Sequence, residues 1–220
     1  MDSIQLISAF IVIAAILFCW RDFYQIFVAK LLNDKPFQHF AFLLMLGLFF
    51  LWSAQASVKE GLSIHFLAMT SFTLIFGWRS AFMLTLPVIA GLAITGQIAV
   101  ETLASYTLLT SLLPILISYS VFAASYRYLP HNIFIYIFIA GFFNGGFTGS
   151  MHLLMNTGFQ IVHGQHDWQT INDNYFIFLP LLAFPEGLIN GMAAAMMSVF
   201  KPEWLRTFSD RDYIYQRGKK

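Results

Sequence analysis

Charged residues are so widely spaced in this chain that they outline its fold. Uncharged runs cover 3–20, 36–58, 61–78, 80–100, 102–126 and 128–166, and a last run, 174–200, is interrupted only by Glu186. A helix needs about 20 largely apolar residues to cross a hydrocarbon core roughly 30 Å thick. Only 10% of the 220 residues are charged, where an average soluble domain has about 25%. With 58% hydrophobic residues, a soluble domain of this length could not bury its apolar surface. Backbone inside a bilayer must satisfy its own hydrogen bonds, so the expected fold is an all-α, polytopic helical bundle.

The runs predict about seven spans, at 3–20, 38–57, 62–78, 80–99, 105–125, 132–157 and 175–200. Residues 1–220 then form a single integral membrane domain whose last part, 201–220, is a cytoplasmic tail. The run 61–100 is broken only by Arg79, which suits two spans joined by a tight turn. The first span has no basic leader and no A-x-A-like cleavage site after it, so it reads as a retained helix.

Basic residues near helix ends collect on the cytoplasmic side. With seven spans and the amino end outside, the inner side receives Arg21, Lys30, Lys35, Arg79, Arg127, Lys201, Arg206, Arg211, Arg217, Lys219 and Lys220, and the outer side keeps Lys59. The expectation is a multi-pass protein of the bacterial inner membrane, amino terminus out, in contact with the lipid bilayer. A net charge of +1 without a polybasic run gives no reason to invoke nucleic acid. The single Cys19 excludes an internal disulfide and a cysteine metal site. No phosphate-binding glycine loop and no nucleophile–base pair is present, which places an enzyme last among the function classes.

The polar residues inside the runs carry the remaining information. Glu186 lies about 16 Å into the last span, near the midplane, at a depth where ionisable groups are costly and face the bundle interior. Asn190 is one turn further on, and Pro185 weakens the helix ladder beside them. Two readings stay open for Glu186. It is a substrate ligand, proton carrier or gate, or it is a hydrogen-bonded carboxyl that locks the last helix to its neighbours. Gly141, Gly145 and Gly149 make a small-residue ridge suited to close helix packing. Asn144 sits beside that ridge, and His152 continues the adjoining face. His65, Met69 and Thr73 share one face at helical spacing, where a histidine and a thioether could hold a soft metal ion. The loop of about 158–174 groups His163, His166 and Asp167 as further capture ligands. His39 and His131 fall at the inner face.

The stretches GLSIHFLAMTSFTLIFGWRSAFM (61–83), LPHNIFIYIFIAGFFNGG (129–146), and FPEGLINGM (184–192) with VFKPEWLRTFSDRDYI (199–214) resemble CbiM/NikM-type membrane proteins. More closely, they resemble a shorter bacterial branch described as energy-coupling-factor ABC transporter permeases. The similarity covers about 60–214, and the ending with Pro202, Trp204, Thr207, Phe208, Asp210 and Tyr213 is its most specific part. It implies a membrane subunit that captures cobalt or nickel from outside and works with a transmembrane coupling subunit and cytoplasmic ATPase subunits. A transition-metal ion is then the substrate, and no cofactor is bound permanently. In that family the metal meets the terminal amine, a histidine at the second position and a later histidine, whose place His65 takes. Here the chain begins Met1-Asp2, so a carboxylate, a harder ligand, stands where imidazole is expected. Copper, zinc, iron or no metal stay open as substrates. The competing expectation is a non-transporting membrane protein that serves the assembly or metal handling of another complex.

Overall fold

The computed structural model describes residues 3–59, 62–162 and 179–214. Six helices in it are long and apolar enough to cross a membrane: α1 (Ile4–Asn33), α2 (Lys35–Ser53), α3 (Met69–Ile94), α4 (Val100–Tyr128), α5 (Ile133–Val162) and α6 (Leu179–Phe200). α1 continues well past the expected end at 20, because its added turns are packed: Phe27 meets the rings of Phe37 and Phe76 at 5.9 and 5.7 Å. The chain then reverses at Asp34, whose carboxylate accepts the Phe37 N–H at 3.1 Å, with Pro36 in the first turn of α2.

The stretch 62–99 departs from two plain helices. It opens on the second strand of a short hairpin, β1 (Ala56–Lys59) paired antiparallel with β2 (Leu62–Ile64). Residues 65–68 belong to no helix or strand, and Ala68 adopts a left-handed φ of 53°. α3 starts only at Met69 and is interrupted at Gly77, where φ is 73° and ψ 153°. That backbone region is essentially reserved for glycine.

A straight helix of 26 residues would be about 39 Å long. The Leu67 carbonyl nevertheless accepts from Trp52 Nε1 at 3.2 Å, while Gln97 donates to the adjacent Ser53 at 3.1 Å. The chain therefore leaves this end of the bundle and comes back to it. The turning point is Gly77, packed against Arg206, with Arg79 3.5 Å from Asp22. Residues 69–76 form a half-helix running one way, and 78–94 run back. Seven passes between the two ends thus hold as expected, with the break beside Arg79, but the third is built from a hairpin, an extended segment and a half-helix.

The two ends differ in charge. Gln5, Ser53, Gln97 and Ser105 cluster at one end through their hydrogen bonds. At the other end lie Arg21, Lys30, Lys35, Arg79, Arg127, Lys201, Arg206 and Arg211; of these, Arg79 and Arg206 meet Asp22, and Lys30 and Lys201 meet Glu203. His131 belongs there too, its Nε2 2.8 Å from the Tyr126 carbonyl.

α5 and α6 pack closest, along the glycine ridge. A Cβ on Gly141, Gly145 or Gly149 would stand 2.8, 2.7 and 2.8 Å from Ala194 Cβ, Asn190 Cβ and Glu186 Cγ respectively. The ridge that the sequence assigns to packing therefore receives the polar stripe of α6 itself.

The segment after α6, expected as a tail, packs back against the bundle. The Arg206 N–H donates to the Ile75 carbonyl at 2.9 Å and Thr207 Oγ1 to the Leu74 carbonyl at 2.8 Å. These are last-turn carbonyls of the half-helix, which have no partner within it. Tyr136 Oη reaches Thr207 Oγ1 at 2.8 Å, and the rings of Tyr136, Phe208 and Tyr213 pack within 5.1 Å of one another. The helical turn α7 (Asp210–Tyr213) completes this plug, and burial there raises the pKa of the Tyr213 phenol above its ordinary value.

Candidate functional site

A cavity of about 370 Å³ opens at the end of the bundle away from the basic cluster. Its walls include Gln55, His65, Gln97, Tyr106 and Asn156. Ser105, also in the wall, is bound by Gln5 at the start of α1 in two hydrogen bonds of 2.8 and 3.3 Å. The amino end of α1 therefore sits at the rim. The last turns of α5 contribute Asn156 and Phe159, so the chain that follows α5 also departs from this rim.

His65 is 7% exposed, with its ring edge-on to Trp52 and to His152 at centroid distances of 6.1 and 5.6 Å. Both of its ring nitrogens are buried without a hydrogen-bond partner among the described residues. Most buried polar side-chain atoms are paired, so an imidazole left wholly unpaired beside a cavity is the kind of exception that calls for an explanation.

His152 is placed differently. Residues Thr107–Leu112 wind as a π-helix, in which the Leu113 N–H donates to the carbonyl five residues back, at Leu108. The next donor in that register would be residue 114, but Pro114 has no N–H. The Leu109 carbonyl is thereby left free, and His152 Nδ1 meets it at 3.1 Å. With that nitrogen donating, Nε2 accepts from Asn156 Nδ2 at 3.0 Å. The two histidines are brought together, yet only His65 has idle lone-pair capacity.

Glu186 occupies the upper end of the half-helix. Its Oε2 accepts the Leu67 N–H at 2.9 Å, and its Oε1 accepts the Ala68 N–H at 2.6 Å and Asn190 Nδ2 at 3.0 Å. Asn190 Oδ1 accepts both the N–H and the hydroxyl of Ser71 at 2.7 Å, and its amide also donates to the Glu186 carbonyl. The first N–H groups of a helix need external acceptors, and a negative group is favoured at that end. Of the two readings left open for Glu186, the geometry is that of the lock: α6 caps the half-helix from across the bundle.

The remaining sequence candidates divide clearly. Met69 is fully buried and opens the half-helix, with its carbonyl accepting from Thr73. His65 precedes the left-handed turn, however, so the expected His65–Met69–Thr73 face does not form: the helical spacing breaks between its first two members. Asn144, expected beside Glu186 and Asn190, directs its polar atoms to Ser118, Ala140 and Thr148 instead. Met1, Asp2, His163, His166 and Asp167 lie outside the described residues. Among the described residues no three His, Cys, Asp or Glu side chains gather as a metal cluster. Sequence reasoning passed over Asn156, which its spacing of four from His152 could have flagged. It also passed over the backbone donors of Leu67, Ala68 and Ser71, for which no side-chain signal exists.

Among known proteins, a family model described as the cobalt uptake substrate-specific transmembrane region, CbiM, matches residues 4–204. Comparison with curated proteins and with solved structures gave no match.

Proposed function

This chain belongs to the CbiM family of cobalt-uptake membrane regions, and on that premise we propose that it is the metal-capturing subunit of a transition-metal uptake transporter. The ion enters at the cavity end, and His65 is its central ligand. The observation that carries this reading is the buried His65 ring, at the cavity wall, with neither nitrogen engaged. His152 joins by releasing Asn156, a change of one side-chain partner. Met1 and the carboxylate of Asp2 supply further donors, since α1 begins at the rim. His163, His166 and Asp167 make first contact with the ion from the chain that follows α5. Met69 stays a neighbour of the site.

Imidazole nitrogens suit nickel, cobalt, copper and zinc, and the carboxylate of Asp2 tempers the preference for the softer of these. The cavity end faces away from the cytosol, as the clustering of basic residues at the opposite end supports. In that orientation the basic end faces the transmembrane coupling subunit and the ATPase subunits in the bacterial inner membrane.

Titration of the purified protein with nickel, cobalt, zinc and copper, against His65→Ala and His152→Ala, tests this assignment. The expected result is a loss of at least about tenfold in affinity for His65→Ala, in the range seen when a ligand's support is removed, and a smaller loss for His152→Ala. Wild-type affinity in both variants removes the histidines from the site.

A further inference from the structure

We propose that Glu186, supported by Asn190, is the positioning residue for His65: it fixes the backbone that carries the proposed metal ligand without touching the ion. This inference rests on the reading of His65 as the ligand, and it assigns the buried acid of α6 a part in metal capture.

The physical basis is how little else holds the segment. Residues 65–68 lie between a short hairpin and the first turn of the half-helix, outside any regular ladder. Ala68 is held at φ 53°, a conformation unfavourable for any residue with a Cβ. Such a turn persists only where surrounding contacts over-determine it. Those contacts include the Leu67 and Ala68 N–H groups on the two oxygens of Glu186, the Leu67 carbonyl on Trp52, and the Ala68 carbonyl on the Phe72 N–H. His65 is two residues away from this clamp.

Glu186 is itself held from behind. Gly149 of α5 lies against its side chain, and Asn190 donates to Oε1. Asn190 then fixes Ser71, one turn into the half-helix. Only a carboxylate offers an acceptor at both terminal atoms. A glutamine of the same shape would turn an NH2 group toward either the Leu67 or the Ala68 N–H. An aspartate would be one methylene too short to reach both.

The experiment uses the purified, metal-free protein with 13C label at histidine Cε1, and the His65 resonance is assigned by its disappearance in His65→Ala. Glu186→Gln is expected to shift or broaden that resonance and to weaken nickel binding about 10–100-fold, as loss of outer support does at metal sites. The elution volume of the folded protein should not change. Where Glu186→Gln does not fold, Asn190→Ala is read instead, with a smaller change in the same direction expected. A folded Glu186→Gln protein with a wild-type His65 resonance overturns the proposal, and so does Asn190→Ala with a wild-type resonance where the first variant is lost. If His65→Ala binds nickel like the wild type while Glu186→Gln still moves the resonance, the metal reading has failed and the positioning stands.

Discussion

His65 and His152 face each other at 5.6 Å, yet one nitrogen pair is idle and the other is fully used. The difference arises from the backbone around them, from a left-handed turn on one side and a proline-interrupted π-helix on the other. Gly149 belongs to the same economy of space. Gly149→Ala would put a methyl 2.8 Å from Glu186 Cγ, and overpacking of this kind costs about 1–3 kcal/mol. The expected outcome is a lower midpoint in thermal unfolding, with nickel affinity falling alongside it, because the carboxylate is pushed off the Leu67 and Ala68 N–H groups. At this scale the sequence was partly legible. The depth of Glu186 followed from counting residues along an apolar run, and so did its need for a partner. The partners could not be read, since they are backbone donors 118 and 119 positions away and every residue has such a donor.

Among the elements, the third pass diverges most from a simple helix. Arg79 in the middle of an apolar run correctly signalled a turn, and Gly77 supplies it. Gly77→Ala meets two penalties: a backbone conformation that costs about 1–3 kcal/mol for a residue with a Cβ, and a methyl 2.7 Å from Arg206 Cδ. The variant is expected to unfold at a markedly lower temperature, and Arg206→Ala in the same chain should recover only the steric part. Thermal unfolding of the single and double variants measures both. That residues 62–68 leave the helical state was not legible. The stretch LSIHFLA contains no proline or glycine, and its apolar character suits a strand or a helix equally. The pairing of β2 with β1 and the cap from α6 decide its conformation, and both are tertiary.

For the whole molecule, the seven passes place the start of α1 and the segment after α6 at opposite ends, and the basic residues gather at the second. The arrangement predicts how single cysteines will react once Cys19, the only native one, is replaced by serine. A cysteine at position 59 should label with a membrane-impermeant maleimide in intact cells, and one at position 211 only after lysis. The reverse pattern would invert the molecule and move the cavity to the cytosol. The overall architecture was legible because hydrophobic length and charge asymmetry are properties of the chain as a whole and survive ignorance of every contact.

The half-helix is closed above by Glu186 and Asn190 and below by Arg206 and Thr207, all contributed more than a hundred positions after the groups they satisfy. On the ribosome this means that residues 65–76 enter the membrane with their terminal amides and carbonyls unsatisfied, and wait there through most of translation. The turn that carries His65 is therefore among the last parts of the protein to be held in place. A ribosome stalled before codon 207 would leave a chain with nearly all of its spans inserted and neither end of the half-helix closed.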